Sequence, residues 1–482
     1  MRTYVLWAFI IILIGIMFNI ISCGSCDNKF IGYYGLIGNS GGSGGGGNLG
    51  SGGAVNIWAQ DLNQGGWVVL SNVYKGGIFD GINYYLSGFQ EDTTKKYAIV
   101  KLNPDLTLNY GKYYTVSGST DIGLTNLYFN PNDSTKLYVG GWHNGAAGNG
   151  IIAEIDKNTG NLTIIKAYSN TGSINLITDS THLYGVSVNG YIMKLNLSDL
   201  SIVDSKQING YNFSSISQNN SYIATYNVNS SSYGVVAVKK DFSSATLFKT
   251  NGNQNQVPLI DSDNNMYLID KSTDNNLVIA KINLNDNSLD ISKEYTLSLT
   301  SAYYSGIFLD DGSMLVAIES TDLSNRFLQF FKINRNDLSL VSKVRVLPKQ
   351  QLSGNYPIES IESMTLFTDF SGGFFAAGIL HWDISEGDVS ISLDIGYALK
   401  MPSNFNLDPN NCVFNTTYNI PINSANYNYN IDYTNMNLDN SNLNLNEISS
   451  LSLSSKDLNT FVGCIDSSNP NILNKTIQKN KK

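Results

Sequence analysis

Residues 83–116 read Asn-Tyr-Tyr-Leu-Ser-Gly-Phe-Gln, then a polar loop, then Tyr-Ala-Ile-Val-Lys-Leu-Asn-Pro-Asp-Leu-Thr-Leu from Tyr97, and finally Gly-Lys-Tyr-Tyr-Thr-Val ending at Val116. Tyr84 to Gly88 and Tyr97 to Leu102 are short runs rich in aromatic and β-branched residues with polar or glycine borders. That is the composition of strands half buried on a pleated surface, and the two pair as a hairpin. Asn103-Pro104-Asp105 supplies a turn, because proline presets its φ and Asn and Asp side chains bond their own backbone. Thr107 to Val116 then returns as a third strand. Three strands in about 35 residues leave no room for a helix.

The unit recurs along the chain. Its last-but-one strand returns as Ile57–Leu62, Ile99–Leu102, Ile152–Ile155, Ile192–Leu195, Val235–Val238, Ile279–Ile282, Phe331–Ile333 and Tyr397–Lys400. The strand before it returns as Leu137–Gly140, Leu183–Val186, Tyr222–Ala224, Met266–Leu268, Met314–Ala317 and Phe374–Gly378. Copies about 40–65 residues apart have the period of propeller blades. In a radial array of four-stranded sheets each blade's bare faces are covered by its neighbours. The reading is therefore an all-β propeller over residues 54–402, with seven four-stranded blades; eight blades, or a sandwich of the same strands, are the alternatives. Residues 54–70 hold strands with no hairpin before them, and the last hairpin, near 363–400, lacks an outer strand. The N-terminal segment is expected to supply it and close the ring.

Composition limits the partners. The chain has 482 residues, 42% hydrophobic, 11% aromatic and 14% charged, with a net charge of −9. That is enough apolar material for a large core. The excess of acid and the lack of Lys/Arg stripes exclude DNA and RNA, whose phosphates need such stripes.

The ends of the chain differ from its middle. Arg2 precedes an apolar run from Tyr4 to Ile21, which reads as a signal peptide over residues 1–22. Ile20-Ile21-Ser22-Cys23 resembles a bacterial lipobox. The resemblance implies cleavage before Cys23, lipidation of that cysteine and an extracytoplasmic protein anchored in a membrane, with the outer membrane or cell surface favoured by Gly24. An uncleaved anchor helix is the other reading, and both keep the remainder outside the cytoplasm. Residues 23–53 form a Gly/Ser-rich tether. Within it Gly41–Gly45 and Gly45–Gly50 match a hydrolase elbow and a dinucleotide fingerprint literally, but neither lies between a strand and a helix as that chemistry requires.

Residues 403–482 are rich in Asn and Ser, with period-two alternation in Asn426–Ile431 and Asn442–Asn446. They read as a small β appendage or a disordered tail. Cys412 and Cys464 bracket the segment, and in an oxidising compartment they are expected to pair as a disulfide, leaving Cys26 free.

Tyr85–Gly88 followed by Tyr97–Leu108 resembles the delta-60 and SBBP-type β-propeller repeats of bacterial secreted proteins. The passage from Tyr397–Asn404 to Asn411-Cys412 is similar to the way such proteins enter a cysteine-bearing tail. The usual Gly-Asp-Gly turns are missing. The resemblance implies the fold over roughly residues 54–415 and brings no catalytic residues.

Chemistry is sparse. The 3 histidines, His143, His182 and His381, fall in different repeats without metal-ligand spacing, so no metal or cofactor is expected. Trp142-His143 and His381-Trp382 each follow a repeat's second strand, at a loop tip where propellers expose ligand-binding aromatics. Asp261–Asn265 begins like a calcium loop but lacks its glycine and its bidentate glutamate, and reads as an Asx turn. The leading function is a surface-tethered binding module for a carbohydrate, a peptide or an envelope partner. An extracytoplasmic enzyme (glycosidase, lyase or quinone-dependent dehydrogenase) and a structural envelope component are the other two readings.

Overall fold

In a computed structural model the chain is described from residue 66 to residue 457, except for 71–72, 91–95, 105–107, 117–121, 144–147, 228–232, 250–256, 273, 275, 298–299, 323–324, 349–357, 369–372, 387–388, 403, 406–413, 418–421, 428, 430 and 440–452. The expectations for Ile57–Leu62, the signal peptide, the tether, Cys23, Cys26, Cys412 and Cys464 lie outside the described residues.

Every described element is a strand, and the strands form seven antiparallel sheets. Blade 1 runs from its innermost strand outward as β2 (Val73–Phe79), β3 (Tyr84–Gln90), β4 (Lys96–Leu102) and β5 (Leu108–Val116). Blade 2 is β6 (Ile122–Asn130), β7 (Asp133–His143), β8 (Asn149–Asp156) and β9 (Leu162–Tyr168). Blade 3 is β10 (Ile174–Thr178), β11 (His182–Ser187), β12 (Tyr191–Asn196) and β13 (Ile202–Gln207). Blade 4 is β14 (Ser217–Gln218), β15 (Tyr222–Asn227), β16 (Gly234–Lys239) and β17 (Ala245–Lys249). Blade 5 is β18 (Val257–Ile260), β19 (Asn265–Lys271), β20 (Leu277–Asn283) and β21 (Ser288–Thr296). Blade 6 is β22 (Thr300–Phe308), β23 (Met314–Asp322), β24 (Asn325–Ile333) and β25 (Leu340–Pro348).

Blade 7 has only three strands from its own stretch of chain, β26 (Ile358–Thr368), β27 (Gly373–Glu386) and β28 (Val389–Pro402). Its fourth is β1 (Gly66–Leu70), which pairs with β28 in the register Trp67↔Leu399 and Val69↔Tyr397. The N-terminal strand thus closes the ring, as its orphaned position in the sequence predicts. The core lies between blades: Tyr84, Leu86 and Val100 of blade 1 pack with Phe367, Phe375 and Ala377 of blade 7, and comparable clusters fill other seams.

The C-terminal segment behaves differently from the expected appendage. Its described strands do not form a sheet of their own; each is added as a fifth strand to the rim of a blade. β29 (Phe414–Thr417) pairs with β25, β30 (Asn423–Asn426) with β21, β31 (Asp432–Met436) with β17 and β32 (Leu453–Asp457) with β5. Between the last two, Asp439 forms an antiparallel bridge with Gln207 at the end of β13. The tail therefore circles the ring backwards, past blades 6, 5, 4, 3 and then 1. Starts at Phe414, Asn423 and Asp432 give a nine-residue step per blade.

Period-two alternation in the tail has a physical reading here. Tyr427, Tyr429 and Ile431 pack on the seam between blades 4 and 5, with Tyr429 only 5% exposed and its hydroxyl bonded to Asp270 Oδ2 in the interior. Ser292 Oγ donates to Tyr427 O, and Asn209 Nδ2 donates to Asp439 Oδ2 at 2.8 Å. An Asn-rich strap of this kind has little surface of its own to bury. It is held because blade rims present unpaired N–H and C=O groups to it.

Candidate binding face

Connections between the first and second strands of a blade, and between its third and fourth, emerge on one face, here called the lower face. Connections between second and third strands, and from one blade to the next, emerge on the opposite, upper face.

On the lower face one turn chemistry repeats. The first turn of a blade opens with an Asx residue whose Oδ1 accepts backbone N–H groups two to four positions on: Asp80 from Ile82 and Asn83, Asp179 from Thr181 and His182, Asn219 from Ser221 and Tyr222, and Asp261 from Asp263 and Asn265. The calcium-like sequence at Asp261 is thus an Asx turn, and Tyr267 OH donates to its second oxygen at 3.1 Å. Where the residue is Asp, that second oxygen can also reach the neighbouring blade. Lys157 Nζ of blade 2 lies 2.9 Å from Asp80 Oδ2, and Lys240 Nζ of blade 4 lies 2.8 Å from Asp179 Oδ2.

The second turn of a blade carries Asp199-Leu200-Ser201, Asp241-Phe242-Ser243 or Asp337-Leu338-Ser339, with the middle residue at φ 58°, 55° or 52°. A left-handed backbone costs a bulky residue on the order of 1–2 kcal/mol. Burying a leucine contributes about 1.5–3 kcal/mol, and Leu200 and Leu338 are fully buried, which accounts for their tolerance. The freed carbonyls are used as well: Tyr168 OH of blade 2 donates to Leu200 O at 2.8 Å, and Tyr295 OH of blade 5 donates to Leu338 O.

Electrostatics follow from this geometry. Burial pushes the Asp179 carboxyl up, but the Lys240 ammonium and the turn N–H groups outweigh it and hold the group well below the ordinary carboxylate range. Asp311 meets the same opposition from burial, and its bonds from Lys332 and Ser313 bring it down to about 2. These charges are committed to each other and to the fold.

On the upper face the described strands differ in length from blade to blade. In blades 3 and 4 the second and third strands have 6 residues each, in blade 5 they have 7, and in blade 6 they have 9. In blade 7 both have 14. β27 and β28 stay in continuous register from Gly373↔Pro402 to Glu386↔Val389. The seven residues by which each exceeds its blade 5 counterpart amount to a projection of about 23 Å at ~3.3 Å per residue. A polar seam lies beside the strap at blade 5, where Asn276 Nδ2 donates to Glu294 Oε1 at 3.0 Å. Burial, then Glu294, Asp274 and Asp270, raise the Tyr427 hydroxyl above its usual pKa.

The aromatic–histidine pairs both fall on this face, in blades 2 and 7 with blade 1 between them. They are not at loop tips. Trp142 and His143 are the last residues of β7, where His143 is paired with Ile122 and Asn149. Trp142 is 9% exposed and its ring sits over Gly123, where any Cβ would lie about 2.1 Å from it. His143 is 4% exposed with neither ring nitrogen hydrogen-bonded, and burial lowers its pKa. His381 and Trp382 stand within β27, opposite Asp394 and Leu393. The third histidine, His182, is on the lower face, its Nδ1 2.8 Å from Thr181 Oγ1. Among the described residues no group of three His, Cys, Asp or Glu side chains could hold a metal ion.

Sequence reading stopped the blade 7 hairpin too early and missed the Tyr429–Asp270 contact. The hairpin had a signal, the strict alternation of Val389-Ser390-Ile391-Ser392-Leu393-Asp394-Ile395. The contact joins residues 159 positions apart and had none beyond the tyrosine spacing.

No family model matches the chain, and no curated protein matches it. Among solved structures it is similar to a chain of the mitotic checkpoint complex, with 9% identity, 75% of this chain and 98% of that chain covered, and a TM-score of 0.46. It is also similar to the WD40 domain of Toxoplasma gondii coronin, with 8% identity, coverage of 70% and 86%, and a TM-score of 0.44. The sheets carry the conclusion by themselves: the chain is a seven-bladed β-propeller closed by its own N-terminal strand, a fold that often serves as an interaction module.

Proposed function

We propose that this propeller is an extracytoplasmic interaction module, held to a membrane at its N-terminus, that binds a carbohydrate or protein ligand on its upper face. The observation that supports this most is the 14-residue hairpin of blade 7, twice the length of its blade 5 counterpart. A hairpin that extends beyond the ring adds nothing to ring closure, whereas it adds backbone edge and side-chain surface beside a concave rim. The lower face is the poorer candidate because its charges are consumed in joining blades. The location rests on the apolar leader, and the anchor on the resemblance of Ile20–Cys23 to a lipobox. Membership of the delta-60 or SBBP-type repeats belongs to the same reading.

Two experiments test it. Purified protein is screened on glycan and peptide arrays beside a variant in which residues 380–395 are replaced by a two-residue turn. A ligand bound by the parent and lost by the shortened hairpin is the expected result; equal binding by both would remove the hairpin from the site. Metabolic labelling with a fatty-acid analogue is expected to mark the parent chain and not Cys23→Ala, and equal labelling would remove the lipid anchor.

A further inference from the structure

β28 pairs with β27 in unbroken register along its whole length, from Glu386↔Val389 at the tip of the hairpin to Gly373↔Pro402. β1 pairs only with the lower part of its other edge, from Leu70↔Gly396 to Gly66↔Lys400. Among the described residues the outer edge from Val389 to Ile395 therefore has no partner strand. A two-residue connection joins Glu386 to Val389, so in that rung both residues turn their N–H and C=O groups on each other. Counting along β28 by twos, Ile391, Leu393 and Ile395 also bond toward β27. Ser390, Ser392 and Asp394 direct their backbone groups outward.

Elsewhere the ring guards such edges. Tail strands cover β5, β17, β21 and β25. β9 and β13 have no tail strand along their length among the described residues, but they carry Lys166 and Lys206, and each pairs with the strand before it through a register shift. Lysine and bulges discourage a foreign strand from adding to an edge. Val389-Ser390-Ile391-Ser392-Leu393-Asp394-Ile395 has no lysine, no proline and no register shift, and its one charge is Asp394. A regular and unguarded edge is a template for another strand.

The sequence of the edge also selects the strand that fits it. We infer that β28 pairs antiparallel with the same edge of a second copy of this chain, about a two-fold axis at Ser392. Val389 then falls opposite Ile395 of the second copy, Ser390 opposite Asp394, Ile391 opposite Leu393, and Ser392 opposite itself. Every outward N–H and C=O group finds a partner, which makes about six backbone hydrogen bonds. Apolar positions meet apolar ones and polar positions meet polar ones, and the two Asp394 positions lie about 13 Å apart along the strands. An axis at Asp394 would set that acid against itself and would run the second copy into Leu70 opposite Gly396. An axis at Ser390 would leave part of the edge unused. The pairing is isologous, as a closed dimer requires, and it turns the upper faces of the two rings toward each other. The inference rests on the proposed function in assigning the hairpin to recognition, and it names a second copy as the protein partner.

Full-length protein carrying Cys23→Ala is followed by analytical ultracentrifugation from about 1 μM to about 0.1 mM, a range that covers the micromolar dissociation constants of small interfaces. The parent is expected to dimerise reversibly. Because Ser392 faces itself, S392K and S392D are each expected to raise the dissociation constant by about fivefold or more, since like charges then stand opposite. An equimolar mixture of the two is expected to associate at least as tightly as the parent. S392P removes the central outward N–H and is expected to be monomeric throughout. A parent that stays monomeric, a dimer unmoved by all three substitutions, or a mixture that fails to restore association overturns the inference. An extended peptide captured on the array by a monomeric parent also overturns it and leaves the proposed function standing. A dimer sensitive to Ser392 with no ligand on either array supports the inference and removes the ligand instead.

Discussion

The two faces of this ring are made from the same strands and differ in what their turns are for. On the lower face an Asx residue, an Asp-hydrophobic-Ser turn and a tyrosine hydroxyl recur from blade to blade, each satisfying backbone groups of its own turn or of the adjacent blade. On the upper face the strands that lead into the hairpins range from 6 to 14 residues. Propeller stability depends on each blade meeting two neighbours, so a turn that also joins blades is constrained in sequence and length. A turn released from that duty can lengthen and diversify. Regularity therefore marks the face that holds the molecule together, and the variable strand lengths are what the proposed binding face rests on.

Substitutions can break this contrast. The largest expected effect is Tyr295→Ala, which removes a fully buried ring and leaves Leu338 O unbonded; a loss of about 3–5 kcal/mol is expected by chemical denaturation. On the upper face Tyr211→Ala, at a half-buried ring, is expected to cost about 1 kcal/mol. Equal losses would remove the distinction between the faces.

Next in size is Asp179→Ala, expected to cost about 2 kcal/mol because the Lys240 ammonium, 8% exposed, loses its carboxylate. The double variant Asp179→Ala/Lys240→Met is expected to be more stable than the single one, since it leaves no stranded charge. A double variant worse than the single would show that the turn, and not the ion pair, sets the cost.

Tyr429→Phe sharpens the comparison from the rim, where the strap is held. Losing the bond to Asp270 is expected to cost about 1 kcal/mol and to speed proteolysis at residues 423–436, with little change in the blades' own protection from hydrogen exchange. Unchanged proteolysis would show that backbone pairing alone retains the strap.

Smallest are two pH effects of different origin. The Asp179 and Asp311 carboxyls have folded pKa values below the ordinary 3.8 of a free aspartate, so their contribution is fully present above that value. It is lost as pH falls through the folded values, about 2 for Asp311. His143 is neutral and buried, and its folded pKa is lowered from 6.5. Its contribution is present above about pH 6.5 and lost as pH falls through the lowered value, because the unfolded chain takes up the proton first. Melting temperature followed from pH 8 to pH 2 should therefore fall in two steps. His143→Phe is expected to flatten the upper step and Asp179→Asn to diminish the lower one; a profile unmoved by His143→Phe would assign the upper step elsewhere.

Much of the lower face was legible before the structure. Asn103-Pro104-Asp105 and Asp261–Asn265 announce turns because Asx side chains bond within a few residues of themselves, and a local bond leaves a local signature. The blade count was legible for a similar reason, since each hairpin pairs neighbours in sequence. The candidate face was less so. Trp142 and His143 stand out as residue types, yet whether such a pair meets a ligand or packs over Gly123 depends on a strand about 20 residues away.

By itself, then, the sequence determined the strands, their antiparallel hairpins and the need for an N-terminal strand at the end of the ring, because apolar alternation and turn chemistry act over a few residues. The tertiary structure alone decided where the Asn-rich tail goes. Its alternation says only that one side wants burial, and it carries no address. The address comes from free blade edges, about one for every nine residues of tail, and from an aspartate in the seam between blades 4 and 5 that meets Tyr429. Those features exist only once the ring has formed, when edges and seams far apart in the chain stand side by side around one circumference.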